Sequence, residues 1–118
     1  MAHILVIDDE FEVRNTIRFM LEREGHKVTE ALDGVEGIQY FLKHSADLII
    51  TDILMPNQDG IETLLQLHVD HPEVPVIVIS GNAPEHLGLA SEFGAHSVLS
   101  KPFKYQELIN AVSQALET

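Results

Sequence analysis

Short runs of consecutive apolar residues alternate with longer amphipathic stretches from one end of the chain to the other. Ile4-Leu5-Val6-Ile7, Leu48-Ile49-Ile50 and Val76-Ile77-Val78-Ile79 are continuously apolar, the pattern of central strands covered on both faces. Val28-Thr29-Glu30-Ala31 alternates and is more polar, which predicts an edge strand, and Ser97-Val98-Leu99-Ser100 predicts a short last strand. Between them Val13, Ile17, Met20 and Leu21 recur at helical spacing, as do Val35, Ile38, Phe41 and Leu42, then Ile61, Leu64, Leu65 and His68. Each set predicts one buried helix face. These three helices open with Asp-x-x-Glu, at Asp9 to Glu12, Asp33 to Glu36 and Asp59 to Glu62, a carboxylate form of the capping box. Stop signals follow at Gly25 and Pro72. A shorter fourth helix is predicted over 84–93, opened by Pro84 and ended by Gly94. Gly88 in its interior costs about 1 kcal/mol relative to Ala and marks it as the weakest element. A last helix begins near Tyr105 and carries Leu108, Val112, Ala115 and Leu116.

Five βα units in sequence imply an α/β fold. Right-handed crossovers and short connections leave few arrangements, of which the expected one is a doubly wound, five-stranded parallel sheet in the order 2-1-3-4-5. A closed eightfold barrel needs about twice this length. In that order strands 1 and 3 are neighbours from which the chain winds in opposite directions, so a functional crevice is expected at their carboxyl ends. With 118 residues and 45% apolar content, one domain over 1–118 with its own core is expected.

Charge narrows the function. Seven Lys plus Arg stand against nineteen Asp plus Glu, a formal net charge of −12, which repels phosphate backbones and anionic lipid. Direct nucleic-acid binding and membrane binding by this chain are therefore not expected. There is no cysteine, which removes disulfides, thiolate metal sites and thiol nucleophiles together. Met1-Ala2-His3-Ile4 has no basic stretch leading into an apolar segment, and no apolar run approaches the ~20 residues of a membrane span. The expected location is cytoplasmic.

The candidate chemistry lies at the strand ends. Strand 1 runs into Asp8-Asp9, strand 3 into Thr51-Asp52, strand 4 into Ser80-Gly81 and strand 5 into Ser100-Lys101-Pro102. Three carboxylates meeting at one rim repel one another, so either a pKa rises or a cation binds. An all-oxygen set suits a hard divalent ion such as Mg²⁺. Lys101 adds a compact point charge for a phosphoryl oxygen, and Ser80 a short donor. Such a group suits in-line phosphoryl transfer, with Asp52 as the natural nucleophile.

At this point the chain resembles the receiver domains of bacterial two-component response regulators. The resemblance covers the whole length and rests on Val6-Ile7-Asp8-Asp9-Glu10, on Thr51-Asp52-Ile53-Leu54-Met55-Pro56-Asn57-Gln58-Asp59-Gly60, on Ser80-Gly81 and on Lys101-Pro102-Phe103. It implies the flavodoxin-like (βα)5 fold and a phosphorylation switch in which Asp52 accepts a phosphoryl group from a histidine kinase or histidine phosphotransfer protein. Asp9 would bind Mg²⁺ (or Mn²⁺ in its place) directly and Asp8 mainly through water, with Asp52 and the Leu54 backbone carbonyl completing the protein ligands. Lys101 and Ser80 would contact the phosphoryl oxygens, and the Lys101-Pro102 peptide would be cis. The resemblance further implies self-catalysed phosphotransfer and autodephosphorylation without conventional enzyme turnover. The downstream output protein or domain would be engaged through the face made by the 84–93 helix, strand 5 and the last helix, and a weak phosphorylation-dependent homodimer is compatible with it. One departure stands at Val98, where many receivers carry the Tyr or Phe of an aromatic switch.

Other readings compete at single positions. Asp9 is as well placed to cap the first helix, Asp8 and Asp52 to make Asx-turns, and Lys101 to form a surface ion pair. His68 and His71 have helical spacing but no further zinc ligand beside them in the sequence. Arg14 and Arg18 lie off the Val13/Ile17 face and read as solvated, with kinase docking implied by the family. Among whole-chain alternatives, a haloacid-dehalogenase-like phosphohydrolase wants a second Asp where Leu54 stands, and a flavin carrier wants donors where Asp8-Asp9-Glu10 stand. A degenerate receiver that binds partners without phosphorylation would lack part of the five-residue site that is intact here.

Overall fold

The three continuous apolar runs form the middle of a parallel sheet. In the computed structural model, which describes residues 2–52, 60–81 and 94–117, the strands are β1 (His3–Ile7), β2 (Lys27–Ala31), β3 (Leu48–Asp52), β4 (Val76–Ser80) and β5 (Ser97–Ser100). Their order is β2-β1-β3-β4-β5, and every neighbouring pair is parallel. The described helices are α1 (Phe11–Arg23), α2 (Gly34–His44), α3 (Gly60–Asp70) and α4 (Tyr105–Glu117). The helix expected over 84–93 lies outside the described residues, as does Asp59 at the start of α3.

Alternation along the strands divides the core in two. Ile4, Val6, Leu48, Ile50, Ile77 and Ile79 point to one face and pack with Ile17 and Leu21 of α1 and Leu108 and Val112 of α4. Leu5, Ile7, Ile49, Val76 and Val78 point to the other and pack with Phe41 of α2 and Leu67 of α3. Burial on both faces explains why these strands read as unbroken apolar runs.

The helix starts obey two different rules. In α2, Asp33 caps as expected, its carboxylate accepting from the Glu36 amide at 2.9 Å, while Glu36 accepts from the Leu32 amide at 2.8 Å. In α1 the capping expectation for Asp9 fails: the N-cap is Glu10, and no side chain caps it. Asp8 is the cause, because its Oδ1 accepts from the Glu10 amide at 2.9 Å and turns the chain so that the helix starts one residue later. The stop at Gly25 is a Schellman ending. His26 donates to Leu21 O at 3.1 Å and Gly25 to Glu22 O at 3.0 Å, with Gly25 at φ +89°.

Two helices depart from the expected stripes at described positions. In α2 the buried residues are Gly34, Gly37, Ile38 and Phe41, whereas Val35 and Leu42 are exposed. The helix lies so close to β1 that a Cβ on Gly37 would stand 2.4 Å from Ile7 Cδ1 and 2.8 Å from its Cγ1, so a glycine rather than a leucine faces the sheet. In α3, Thr63 and Leu67 are buried, and Leu65 and His68 are not. That helix packs beside α2 with Leu67 in the core on that side of the sheet, and the side chains of the other two expected positions, Ile61 and Leu64, lie outside the described residues.

Ile7 is fully enclosed, so it has little room to yield to an added methyl. Gly37→Ala is expected to destabilise the fold by about 1–3 kcal/mol in urea unfolding. If α2 instead stood off the sheet, helix propensity alone would make the same change stabilising by about 1 kcal/mol.

Candidate functional site

Four strands deliver polar residues to one rim of the sheet. Asp8 follows β1, Asp52 ends β3 and Ser80 ends β4. Lys101 follows β5, where its amide donates to Ser80 O at 2.7 Å. The Lys101-Pro102 peptide is cis. Because β1 and β3 are adjacent, with Ile7 paired to Thr51, their terminal carboxylates stand side by side.

Lys101 Nζ donates to Asp52 Oδ2 at 2.8 Å, to Asp8 Oδ2 at 3.3 Å and to Glu10 Oε1 at 3.4 Å. Asp8 and Asp52 are buried, whereas Asp9 and Glu10 are exposed. One carboxylate oxygen from each of Asp8, Asp9, Glu10 and Asp52 lies within 4.8 Å of the others. Among the described residues this is the one cluster of acidic and imidazole groups with metal-ligand spacing. Thr51, also buried, donates its hydroxyl to Asp52 O at 3.0 Å. Ser80 is 1% exposed, and its Oγ has no hydrogen-bond partner among the described residues.

Burial, and after it the charge of Asp52, push the Asp8 carboxyl up to about 6 from an ordinary 3.8, against the Glu10 amide and Lys101, which favour its ionised form. Burial draws the Lys101 ammonium down, but its bond to Asp52 and the charges of Asp52 and Asp8 outweigh this and raise it to about 12. Lys101 therefore stays charged while the carboxylates compete for it.

The remaining candidates fall as follows. Val98 lies on β5 opposite Val78 and packs half-buried against the core on the α2 side. Leu54 lies outside the described residues. His71 sets its ring edge-on to Phe41 at 4.9 Å, and His68 is exposed. Arg14 is not solvated as its spacing suggests. It is buried, with Nη1 donating to Asp8 O at 2.7 Å and Nε to Glu30 Oε1 at 3.0 Å. Arg18 is partly exposed and pairs with Glu30 at 2.7 Å and Glu22 at 3.1 Å. Glu10 also joins the cluster, and its place directly after Asp8-Asp9 in the sequence is the signal for it. A groove of about 490 Å³, lined in part by Val13, Thr16, Met20, Lys101, Pro102 and Phe103, opens beside the cluster.

A family model described as the response regulator receiver domain matches residues 4–113. The chain belongs to the response regulator receiver domain family. Among its relatives, the transcriptional regulatory protein CpxR of Escherichia coli is 37% identical over 98% of this chain and 50% of its own length. The response regulator GtcR of Aneurinibacillus migulanus is 35% identical over 96% of this chain and 47% of its own. The chain thus spans about half the length of the curated relatives it matches. The crystal structure of the receiver domain of NtrX from Brucella abortus superposes with a TM-score of 0.94 at 35% identity, covering 98% of both chains. Receiver domains are the signalling switches of two-component systems. No helix among the described residues of this receiver is long and apolar enough to cross a membrane.

The raised Asp8 carboxyl carries a pH signature. The folded receiver keeps a proton on Asp8 where the unfolded chain has released it, so that contribution to stability is complete below about 3.8 and lost as pH rises through about 6. Asp8→Asn removes the buried charge and keeps the shape. In metal-free buffer it is expected to raise the thermal midpoint by about 5 °C near pH ~8 and by much less near pH ~4.5. Equal shifts at the two pH values would contradict the assignment.

Proposed function

We propose that this receiver is a phosphorylation switch whose acceptor is Asp52, with the 1–118 span acting as one domain. The observation that carries the reading is the direct bond from Lys101 to Asp52 inside an acidic rim, beside a buried serine hydroxyl with no partner of its own among the described residues. An ammonium fixed on the acceptor and a buried hydroxyl donor nearby are what a phosphoryl group arriving on Asp52 requires.

The residues fit a divalent cation. Their donors are oxygens only, they converge within one ion's reach, and burial, with the charge of Asp52 after it, holds the Asp8 carboxyl above its ordinary range. Asp8, Asp9 and Asp52 would hold Mg²⁺, or Mn²⁺ in its place, with the Leu54 carbonyl as the further ligand. When bound, such an ion neutralises the oxygens of the transferring group. The chain's own residues do the rest. An Oδ of Asp52 attacks phosphorus, the new P–O bond forming as the bond to the donor's imidazole nitrogen breaks and its electron pair leaves with the imidazole. Lys101 and Ser80 position and neutralise the phosphoryl oxygens, in transfer and again in autodephosphorylation. The product is the modified protein itself, so the receiver is a switch and not a conventional enzyme.

The proposed donor is a histidine kinase or histidine phosphotransfer protein in the cytoplasm, seated over the groove between α1 and the Lys101-Pro102-Phe103 segment. The proposed output is altered binding of a partner protein or output domain through β5, α4 and the segment preceding β5. Val98 in place of an aromatic leaves Ser80 and that segment to carry the conformational signal.

Intact mass measured after incubation with Mg²⁺ and a small acyl phosphate tests the reading. One phosphoryl group is expected on the wild-type protein, and none on Asp52→Asn or without a divalent ion. Equal labelling of Asp52→Asn would move the acceptor elsewhere.

A further inference from the structure

A buried arginine beside an acidic cluster calls for a reason. Arg14 is 7% exposed, and such burial is rare for an unpaired guanidinium. Its two bonds join different elements. Nε pairs with Glu30 on β2, and Nη1 donates to the backbone carbonyl of Asp8, the residue that opens the acidic turn. The Asp8 amide meanwhile donates to Ala31 O at 3.1 Å, and its Oδ1 accepts from the Glu10 amide. Asp8 is therefore fixed at its amide by β2, at its carbonyl by Arg14 and at its carboxylate by the turn. Glu30 also holds Arg18, which makes no bond to Asp8.

We propose that Arg14 is a positioning residue for the acidic site: anchored on Glu30, it clamps the Asp8 carbonyl and holds the Asp8-Asp9-Glu10 turn in the geometry that receives a divalent cation. This rests on the phosphorylation-switch reading. The physical need is plain, since carboxylates crowded within 4.8 Å push the turn open unless its backbone is tied down. The guanidinium suits the task because its fork reaches a carbonyl and a carboxylate at once, which an ammonium on a flexible stem does poorly.

The sign of the effect separates this role from simple electrostatics. Deleting a positive charge near a cation site tightens cation binding if charge is all that matters. Loss of a positioning residue weakens it, typically by about tenfold or more.

The test is a titration of the purified protein with Mn²⁺, free ion being followed by electron paramagnetic resonance. Arg14→Met is expected to bind Mn²⁺ about tenfold more weakly than wild type. Arg18→Met, which loses a bond to the same Glu30, is expected to stay within about twofold. Arg14→Lys keeps the charge and most of the stem, and by losing the fork it is expected to be weakened as well, so it decides the matter should Arg14→Met not fold by circular dichroism. Folded Arg14 variants that bind Mn²⁺ as well as or better than wild type would overturn the proposal. Failure of the wild type to bind Mn²⁺ at all would overturn the phosphorylation-switch reading with it.

Discussion

Four carboxylates share the carboxyl ends of β1 and β3 with one ammonium, and the architecture of this receiver can be understood from that imbalance. Two like charges at 4 Å cost about 4 kcal/mol at an effective dielectric near 20, and Lys101 cannot neutralise Asp8, Asp9, Glu10 and Asp52 together. The structure answers by ranking its carboxylates. Asp52 receives the short bond from Lys101, Asp8 is buried with a raised pKa, and Asp9 and Glu10 remain at the solvent edge. On the proposed switch reading, the excess negative charge is what would make the rim receptive to a cation, and the bond from Lys101 to Asp52 what would make it receptive to a phosphoryl group.

Holding such a group together demands a rigid support. The parallel sheet provides it, because β1, β3 and β4 are buried on both faces and end on the same side. Rigidity reaches the turn through named contacts. Asp8 is tied to β2 by its amide and through Arg14 and Glu30 by its carbonyl, and Lys101 is tied to β4 through the Ser80 carbonyl. α2 comes so close at Gly37 that a side chain added there would press on Ile7, the residue before Asp8. Core packing and site geometry therefore meet within a residue or two, so that a methyl added in the core bears on the site.

Much of this was legible in the sequence, and the exceptions have physical causes. The unbroken apolar runs mark the three central strands because burial on both faces leaves no polar alternation, and the strand-end residues Asp8, Asp52, Ser80 and Lys101 follow from the order of the strands. Helix orientation was less legible. A stripe of Val35, Ile38, Phe41 and Leu42 looks like a docking face, yet the inward side of α2 carries Gly34 and Gly37, since close packing against the sheet favours the smallest residue over the most apolar. Asp9 looked like a cap because the Asp-x-x-Glu spacing is local, while the Asp8 turn that displaces the helix start is a bond within the site. Arg14 looked solvated because its partners, the Asp8 carbonyl and Glu30, lie 6 and 16 residues away and only the fold brings them to it. For α2 and Arg14 a tertiary contact overrode a local pattern, and at Asp9 a competing local bond from the Glu10 amide to Asp8 did so.

The measurement that bears most directly on the account is a crystal structure of the receiver grown with Mg²⁺ and beryllofluoride, which takes the place of a phosphoryl group on a carboxylate. The account predicts beryllium bonded to an Asp52 oxygen, Lys101 Nζ and Ser80 Oγ on its fluorines, and the metal among Asp8, Asp9 and Asp52. Beryllofluoride absent from Asp52 under saturating conditions, or bound there with Lys101 and Ser80 both turned away, would contradict it.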